Sequence, residues 1–286
     1  MYVVMGATGH VGSATAAALL RQGQPVTIVT RHADAGADWR ARGAEVAVAD
    51  LDDTAALRAA FRRGRRAFLL VPPADPATDT DAVEKHNAAQ ILAALEDSGL
   101  EKVVAESTYG ARAGDQIGDF GTLWVLEQGL RAQPIPAAIN RAAYYMSNWD
   151  SLIETAAKTG KLPTMYPPDR AIPMVAPADL GAAAARRLMS PLDDVGVAYV
   201  EGPKPYSAQD VAQALAHALG RPVEIDRIPR EAWEQAYRDL GFSPEGARSY
   251  TGMTALSVDG DIAVPPDPER GETTLETYIA QRAARG

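Results

Sequence analysis

Hydrophobic and polar positions follow two alternating rhythms through the first half of the chain. Short, nearly continuous apolar runs occur at 2–5 (YVVM), 25–30 (PVTIVT), 44–50 (AEVAVAD), 67–71 (AFLLV), 102–108 (KVVAEST) and 135–140 (IPAAIN). They are rich in β-branched residues and lack strict alternation, which predicts strands buried on both faces. Between them lie segments of helical period at 10–23, 53–64, 79–99 and 121–132, the first stopping at Gly23. A βαβα succession of this kind predicts a parallel sheet covered by helices on both faces.

The rhythm changes after residue 140. Aromatics and prolines crowd 141–150 (RAAYYMSNWD) and 162–175 (LPTMYPPDRAIPMV). Regularity returns with a strand at 196–203 and a helix at 207–220, which opens on Ser207 and Asp210, close to a capping box. Val211, Ala214, Leu215, Ala218 and Leu219 mark one face of that helix, and His217 falls off it as a surface histidine. Further helices are expected at 230–241 and 274–284. No repeat or low-complexity linker interrupts the chain. The expected organisation is a parallel-sheet domain at 1–150, to which the strand near 196–201 is a candidate to return. A smaller α+β lid or substrate domain follows at 151–286.

Composition narrows the functions. The 286 residues carry a formal net charge of −9 and a sequence pI near 5.0. An acidic surface repels phosphate backbones, so nucleic acid is not an expected partner. The absence of cysteine removes disulfides, thiolate nucleophiles and cysteine metal sites. His10, His32, His86 and His217 are scattered, and no metal is expected. No apolar segment has the length of a membrane span, and no basic run with an apolar core stands at the start. The expectation is a cytoplasmic protein with a small-molecule partner, its oligomeric state left open.

The loop 5–12 (MGATGHVG) follows a strand and opens a helix. A helix start presents free N–H groups and the positive end of its dipole, a ready site for an anion. Gly6 permits the turn, Gly9 lets a diphosphate approach the backbone, and Gly12 lets the helix pack close. In a βαβ unit this predicts dinucleotide binding, although the spacing is G-x-x-G-x-x-G rather than G-x-G-x-x-G. An acid after the second strand would bind the ribose hydroxyl of NAD. Here Thr30, Arg31 and His32 stand there instead. A guanidinium suits the 2′-phosphate of NADP(H), the alternative being an ordinary surface arginine. Asp50 and Leu51, closing the third strand, fall where adenine rests, and Asp50 could equally cap the next helix. The basic stretch 61–66 (FRRGRR) precedes a strand, at the edge away from such ligands, and reads as a solvated loop.

The segments GATGHVG, VTIVTRH, ADLDD, STYGA and NRAAYYMSN, in that order, resemble the NmrA-like branch of the atypical short-chain dehydrogenases/reductases, as does the tail EGPKPYSAQDVAQALAHALGRPV. The resemblance spans nearly the whole chain. It implies a Rossmann-type, doubly wound parallel sheet binding NADP(H), with a smaller C-terminal substrate domain. The implied cofactor contacts are Gly6, Thr8, Gly9, His10, Val11 and Gly12 in the loop. Beyond it they are Arg31, His32, Asp50 and Leu51, then Val71 and Pro72, and finally Ser107.

Short-chain reductases usually carry Tyr-x-x-x-Lys on the helix after the STYG strand. Here that helix reads DFGTLWVLEQ, placing Phe120 and Trp124 at the spacing, or Asp119 and Leu123 if the register slips by one. No lysine occurs from residue 103 to 157, so the dyad is absent. Tyr109 and Tyr144 remain as candidate catalytic donors, with aromatic pocket lining as the alternative for each. For Asn87, four residues from Val83 and Ile91, the resemblance implies a tie from its helix to the sheet, with an active-site water as the alternative. Two readings follow. One is an NADPH-dependent oxidoreductase of a quinone, enone or similar apolar carbonyl compound. The other is a non-catalytic NADP(H)-binding redox sensor.

Overall fold

The computed structural model describes residues 1–260, 262–263 and 265–284. Residues 261, 264, 285 and 286 of the expected second domain therefore lie outside the described residues. Strands β1 (Tyr2–Val4), β2 (Val26–Thr30), β3 (Glu45–Val48), β4 (Arg66–Leu69), β5 (Lys102–Thr108) and β6 (Ala137–Ala142) alternate with helices α1 (His10–Arg21), α2 (Ala37–Ala41), α3 (Thr54–Phe61), α4 (Thr80–Leu95) and α5 (Asp119–Arg131). Next come β7 (Tyr144–Tyr145), α6 (Asp150–Thr159), β8 (Lys161–Thr164), β9 (Ile172–Val175), α7 (Pro177–Met189), β10 (Gly196–Glu201) and β11 (Pro205–Tyr206). The chain ends with α8 (Ala208–Leu219), β12 (Glu224–Arg227), α9 (Trp233–Asp239), α10 (Pro244–Asp259), β13 (Glu269–Arg270) and α11 (Leu275–Ala283).

The large sheet has the order β13-β10-β6-β5-β4-β1-β2-β3. Every pairing in it is parallel. The strand order reverses between β1 and β4, where Val4 pairs Ile28 on one side and Phe68 on the other. Such a switch point opens a crevice at the strands' carboxyl ends. Alternation along each strand divides the core. Val4, Ile28, Phe68 and Val104 pack with α1 and α7, and Val3, Val29, Leu69 and Val103 pack with α3, α4 and α5. This is why the strands read as nearly continuous apolar runs rather than as strict alternation.

Chain 151–286 does not stay apart from this sheet. β10 adds beside β6, β13 adds beside β10, and α7 lies against α1. Gly181 makes that approach possible, since a Cβ there would stand 2.4 Å from the Ala14 carbonyl carbon. The sheets β11-β9-β7 and β12-β8 sit with α6, α8 and α11 around a third core of Met146, Trp149, Leu162, Met174, Tyr206, Leu215 and Ile279. The stretch 61–66 lies at the strands' amino edge. There Arg66 donates to the carbonyl oxygens of Leu188 (2.5 Å) and Ser190 (2.6 Å), and Arg65 pairs with Glu101. Among the described residues no helix is long and apolar enough to cross a membrane.

Candidate functional site

The loop between β1 and α1 is shaped by three different demands on glycine. Gly6 has φ +67°, the left-handed region that favours glycine. A Cβ on Gly12 would lie 2.3 Å from the Gly6 carbonyl oxygen and 2.5 Å from that of Met5, so α1 begins pressed against backbone. A Cβ on Gly9 would meet only the Gly6 oxygen, at 3.5 Å, and otherwise faces open space. Gly9 is also the N-cap of α1, which has no side-chain cap and no acid in its first turn. Asp53, Asp79, Ser207, Ser243 and Thr274 close the starts of α3, α4, α8, α10 and α11 with their side chains. At α1 the donors and the positive dipole end stay available to an anion. Val11 and Gly12 are buried, and Thr8, Gly9 and His10 are exposed. The His10 side is shared with a separate cavity of about 490 Å³, lined by α7 and α11 residues such as Pro177, Thr277 and Tyr278.

The ends of the neighbouring strands continue this edge. Arg31 and His32 are exposed just past β2. Past β3, Asp50 is exposed, and its Oδ1 accepts the Asp52 N–H at 3.0 Å. The cap of α3 is Asp53, which accepts the Ala56 N–H at 2.9 Å, so capping leaves Asp50 out. Leu51 packs half-buried against the α3–α4 core, as does Val71 after β4, with Pro72 half-buried beside it. A Leu70 methyl lies 3.1 Å from where a Gly6 Cβ would be, so the β1 and β4 loops abut at the switch point.

After β5 the picture differs from the sequence expectation. Ser107 turns to the α5 side of the sheet, where its hydroxyl donates to Glu127 Oε1 at 2.6 Å. Arg141 grips both Glu127 oxygens at 2.8 Å, and Arg131 adds a contact at 3.1 Å. Tyr109 is 5 % exposed and its hydroxyl donates to Glu201 at 3.0 Å, while its ring meets Tyr199 edge-on. Burial, reinforced by the Glu201 charge, holds its phenol well above the usual range. Strand alternation and the β10 carboxylate thus give both hydroxyls partners inside the fold.

Tyr144 is half-buried on β7, with its ring 5.4 Å from Tyr166 and 5.9 Å from Trp149. The aromatic wall extends through Tyr237 and Tyr250 of α9 and α10, whose rings lie 5.6 Å apart. Burial raises the hydroxyl pKa of Tyr144, Tyr145, Tyr166, Tyr237 and Tyr250, so all stay protonated donors near neutral pH.

Several residues of this region escaped sequence reasoning. The buried face of α4 carries Asp81 and Glu84 in line with Ala88, Ile91 and Leu95, and Asn87 sits half-buried at its margin. Glu84 accepts the Ala74 N–H at 3.0 Å. Asp81 accepts the Gln116 N–H at 2.9 Å and the Ser249 hydroxyl. Burial, then the Asp119 charge, pushes Glu84 up to about 8. Burial, then Asp81, pushes Asp119 up to about 6. Tyr145 and Tyr250 both feel the Asp119 charge. Asp119, first residue of α5, is the position that the slipped dyad register names. Asp81 and Glu84 had a weaker signal, two acids on an otherwise apolar helical stripe.

The chain is 24% identical to an NAD(P)H azoreductase of Xenophilus azovorans, an alignment covering 100% of this chain and 94% of that protein. Its fold superposes with a TM-score of 0.82 on triphenylmethane reductase of Citrobacter sp. in complex with NADP(H). That match is 18% identical and covers 99% of this chain and 100% of that one. A third match is an NADPH-dependent quinone oxidoreductase of Escherichia coli in complex with NADPH, at TM-score 0.74 and 19% identity, covering 98% and 99% of the two chains. Residues 2–259 match the pattern of the NmrA-like family. With the glycine loop, the switch point and the whole-length match in agreement, the chain belongs to the NmrA-like family.

Proposed function

We propose that this protein is an NADPH-dependent oxidoreductase that reduces a quinone, enone or similar conjugated carbonyl compound without a Tyr-x-x-x-Lys dyad. The observation that carries this reading is the bare backbone at Gly9, in front of an uncapped helix start at the switch point of the sheet. The first-turn N–H groups of α1 hold the diphosphate. Arg31 meets the 2′-phosphate, where a carboxylate would repel it. Asp50 and Leu51 receive the adenine, and Val71 and Pro72 border the cofactor after β4. When bound, NADPH supplies the hydride. The three relatives, which reduce azo compounds, triphenylmethane dyes and quinones by their names, favour a conjugated acceptor.

Tyr144 offers the acceptor a neutral hydroxyl and an aromatic face. Because a conjugated acceptor spreads its developing charge, a donor that orients without ionising is sufficient. Asp119 and Glu84, pushed up to about 6 and about 8 chiefly by burial, place their charges on Tyr250. The test is NADPH oxidation measured alone and with a panel of quinones, enones and azo compounds. Acceptor-dependent oxidation with a preference for NADPH over NADH supports the reading. Tight NADPH binding with no turnover across the panel overturns it in favour of a redox sensor.

A further inference from the structure

Trp39 occupies a position that neither the glycine pattern nor the strand ends explain. Its indole Nε1–H donates to the Ala7 carbonyl oxygen at 3.1 Å, across 32 residues of sequence. Trp39 is 6 % exposed, and the Arg42 guanidinium lies 4.1 Å above its ring. Ala7 belongs to the glycine loop, and the Ala7–Thr8 peptide is planar and trans, like every described peptide bond. Its carbonyl and the Thr8 N–H therefore point in opposite directions. A carbonyl held towards Trp39 turns the Thr8 N–H away from the core, into the exposed region that Thr8 shares with Gly9. The segment carrying Trp39 is itself pinned, since a Cβ on Gly36 would stand 2.6 Å from Val46 on β3. Arg31 and His32 lead directly into that segment. One indole thus ties the arm that follows β2 to the loop that follows β1.

We propose that Trp39 is a positioning residue for the cofactor. Its N–H locks the Ala7–Thr8 peptide so that the Thr8 N–H is preset towards the diphosphate, and it fixes the Arg31 arm relative to that loop. This rests on the reading of the glycine loop as an NADP(H) site. A buried carbonyl that loses its donor can turn over and take the Thr8 N–H with it, so the free loop would sample orientations that do not bind.

The experiment compares the wild-type protein with Trp39→Phe, which keeps an aromatic ring and removes the donor. NADPH affinity is read by titration calorimetry, and kcat and KM by steady-state reduction of an acceptor found with the wild type. The expected result is NADPH binding weakened about five- to tenfold, the equivalent of one hydrogen bond. The KM for NADPH rises with it, and kcat at saturating NADPH is unchanged. Equal NADPH affinity in the two proteins overturns the proposal, as does a fall in kcat with KM unchanged. If Trp39→Phe is too unstable to assay, Arg42→Ala, which uncovers the ring and leaves the donor, gives the second measurement. It should leave NADPH affinity within twofold, and a tenfold loss would place the effect in packing rather than in the hydrogen bond. Failure of the wild type itself to bind NADPH would instead overturn the cofactor reading on which this rests.

Discussion

Alanine at Gly9 and at Gly12, tested separately, distinguishes holding a cofactor from holding the fold. Gly9 has φ −102° and ψ −174°, extended backbone that alanine adopts without strain. Its Cβ would meet one atom at 3.5 Å, an ordinary contact. Reduced freedom of the unfolded chain favours the variant by about 0.5 kcal/mol, and the poorer N-cap costs a similar amount, so stability changes by less than about 1 kcal/mol. The methyl group nevertheless stands where a diphosphate must approach the helix start, and NADPH affinity should fall at least about tenfold, or about 1.4 kcal/mol. Gly12→Ala behaves differently. Its Cβ would lie 2.3 Å, 2.4 Å and 2.5 Å from three backbone atoms, none of which can rotate aside. α1 must lift from the strand end, an overpacking cost of about 1–3 kcal/mol, or about 2–5 °C in Tm for a chain of this size. Both stability and NADPH binding should suffer. Scanning calorimetry of the free proteins and titration with NADPH read the two quantities. A Gly9→Ala protein that binds NADPH like the wild type refutes the path assigned to the diphosphate. A Gly12→Ala protein of wild-type Tm refutes the packing argument.

Three further outcomes are expected. Arg31→Glu should weaken NADPH binding far more than NADH binding in paired titrations, and equal losses would remove the 2′-phosphate assignment. Tyr144→Phe should raise the acceptor KM about three- to tenfold, as for one lost hydrogen bond, and leave the NADPH KM unchanged in steady-state kinetics. Glu84→Gln tests the buried acid. Glu84 keeps its proton up to about pH 8 in the folded protein, whereas an unfolded carboxyl loses it near pH 4. The folded state therefore binds the extra proton between those values, and stability falls as pH rises through that window. Glutamine, permanently neutral, should raise Tm by several degrees near pH 8 and change little near pH 4 when melts are compared across pH. A pH-independent difference would contradict the shift.

The parallel sheet was legible because strands buried on both faces carry nearly continuous apolar or β-branched residues, as 26–30 (VTIVT) and 103–105 (VVA) do. The glycine loop was legible because its chemistry is local: turn, approach and close packing occur within seven residues. β8 and β9 were not read, since Pro163 and Pro173 demote a strand in sequence but are tolerated in short sheets of two and three strands. α7, with Pro177 at its start, was lost behind the same prolines. Partnerships across the fold were beyond reach. Nothing in the order of residues says that Tyr109 meets Glu201 across 92 positions, or that Trp39 holds Ala7. The slipped register that put Asp119 in the tyrosine position was visible, but its carboxyl chemistry depends on its burial and then on Asp81 from another helix.

The most direct test of the account is a calorimetric titration of the wild-type protein with NADPH and with NADH. Saturable binding of NADPH is expected, with NADH bound at least about tenfold more weakly for want of the 2′-phosphate contact. Equal affinity for the two would contradict the role given to Arg31, and no binding of either would contradict the assignment of the glycine loop.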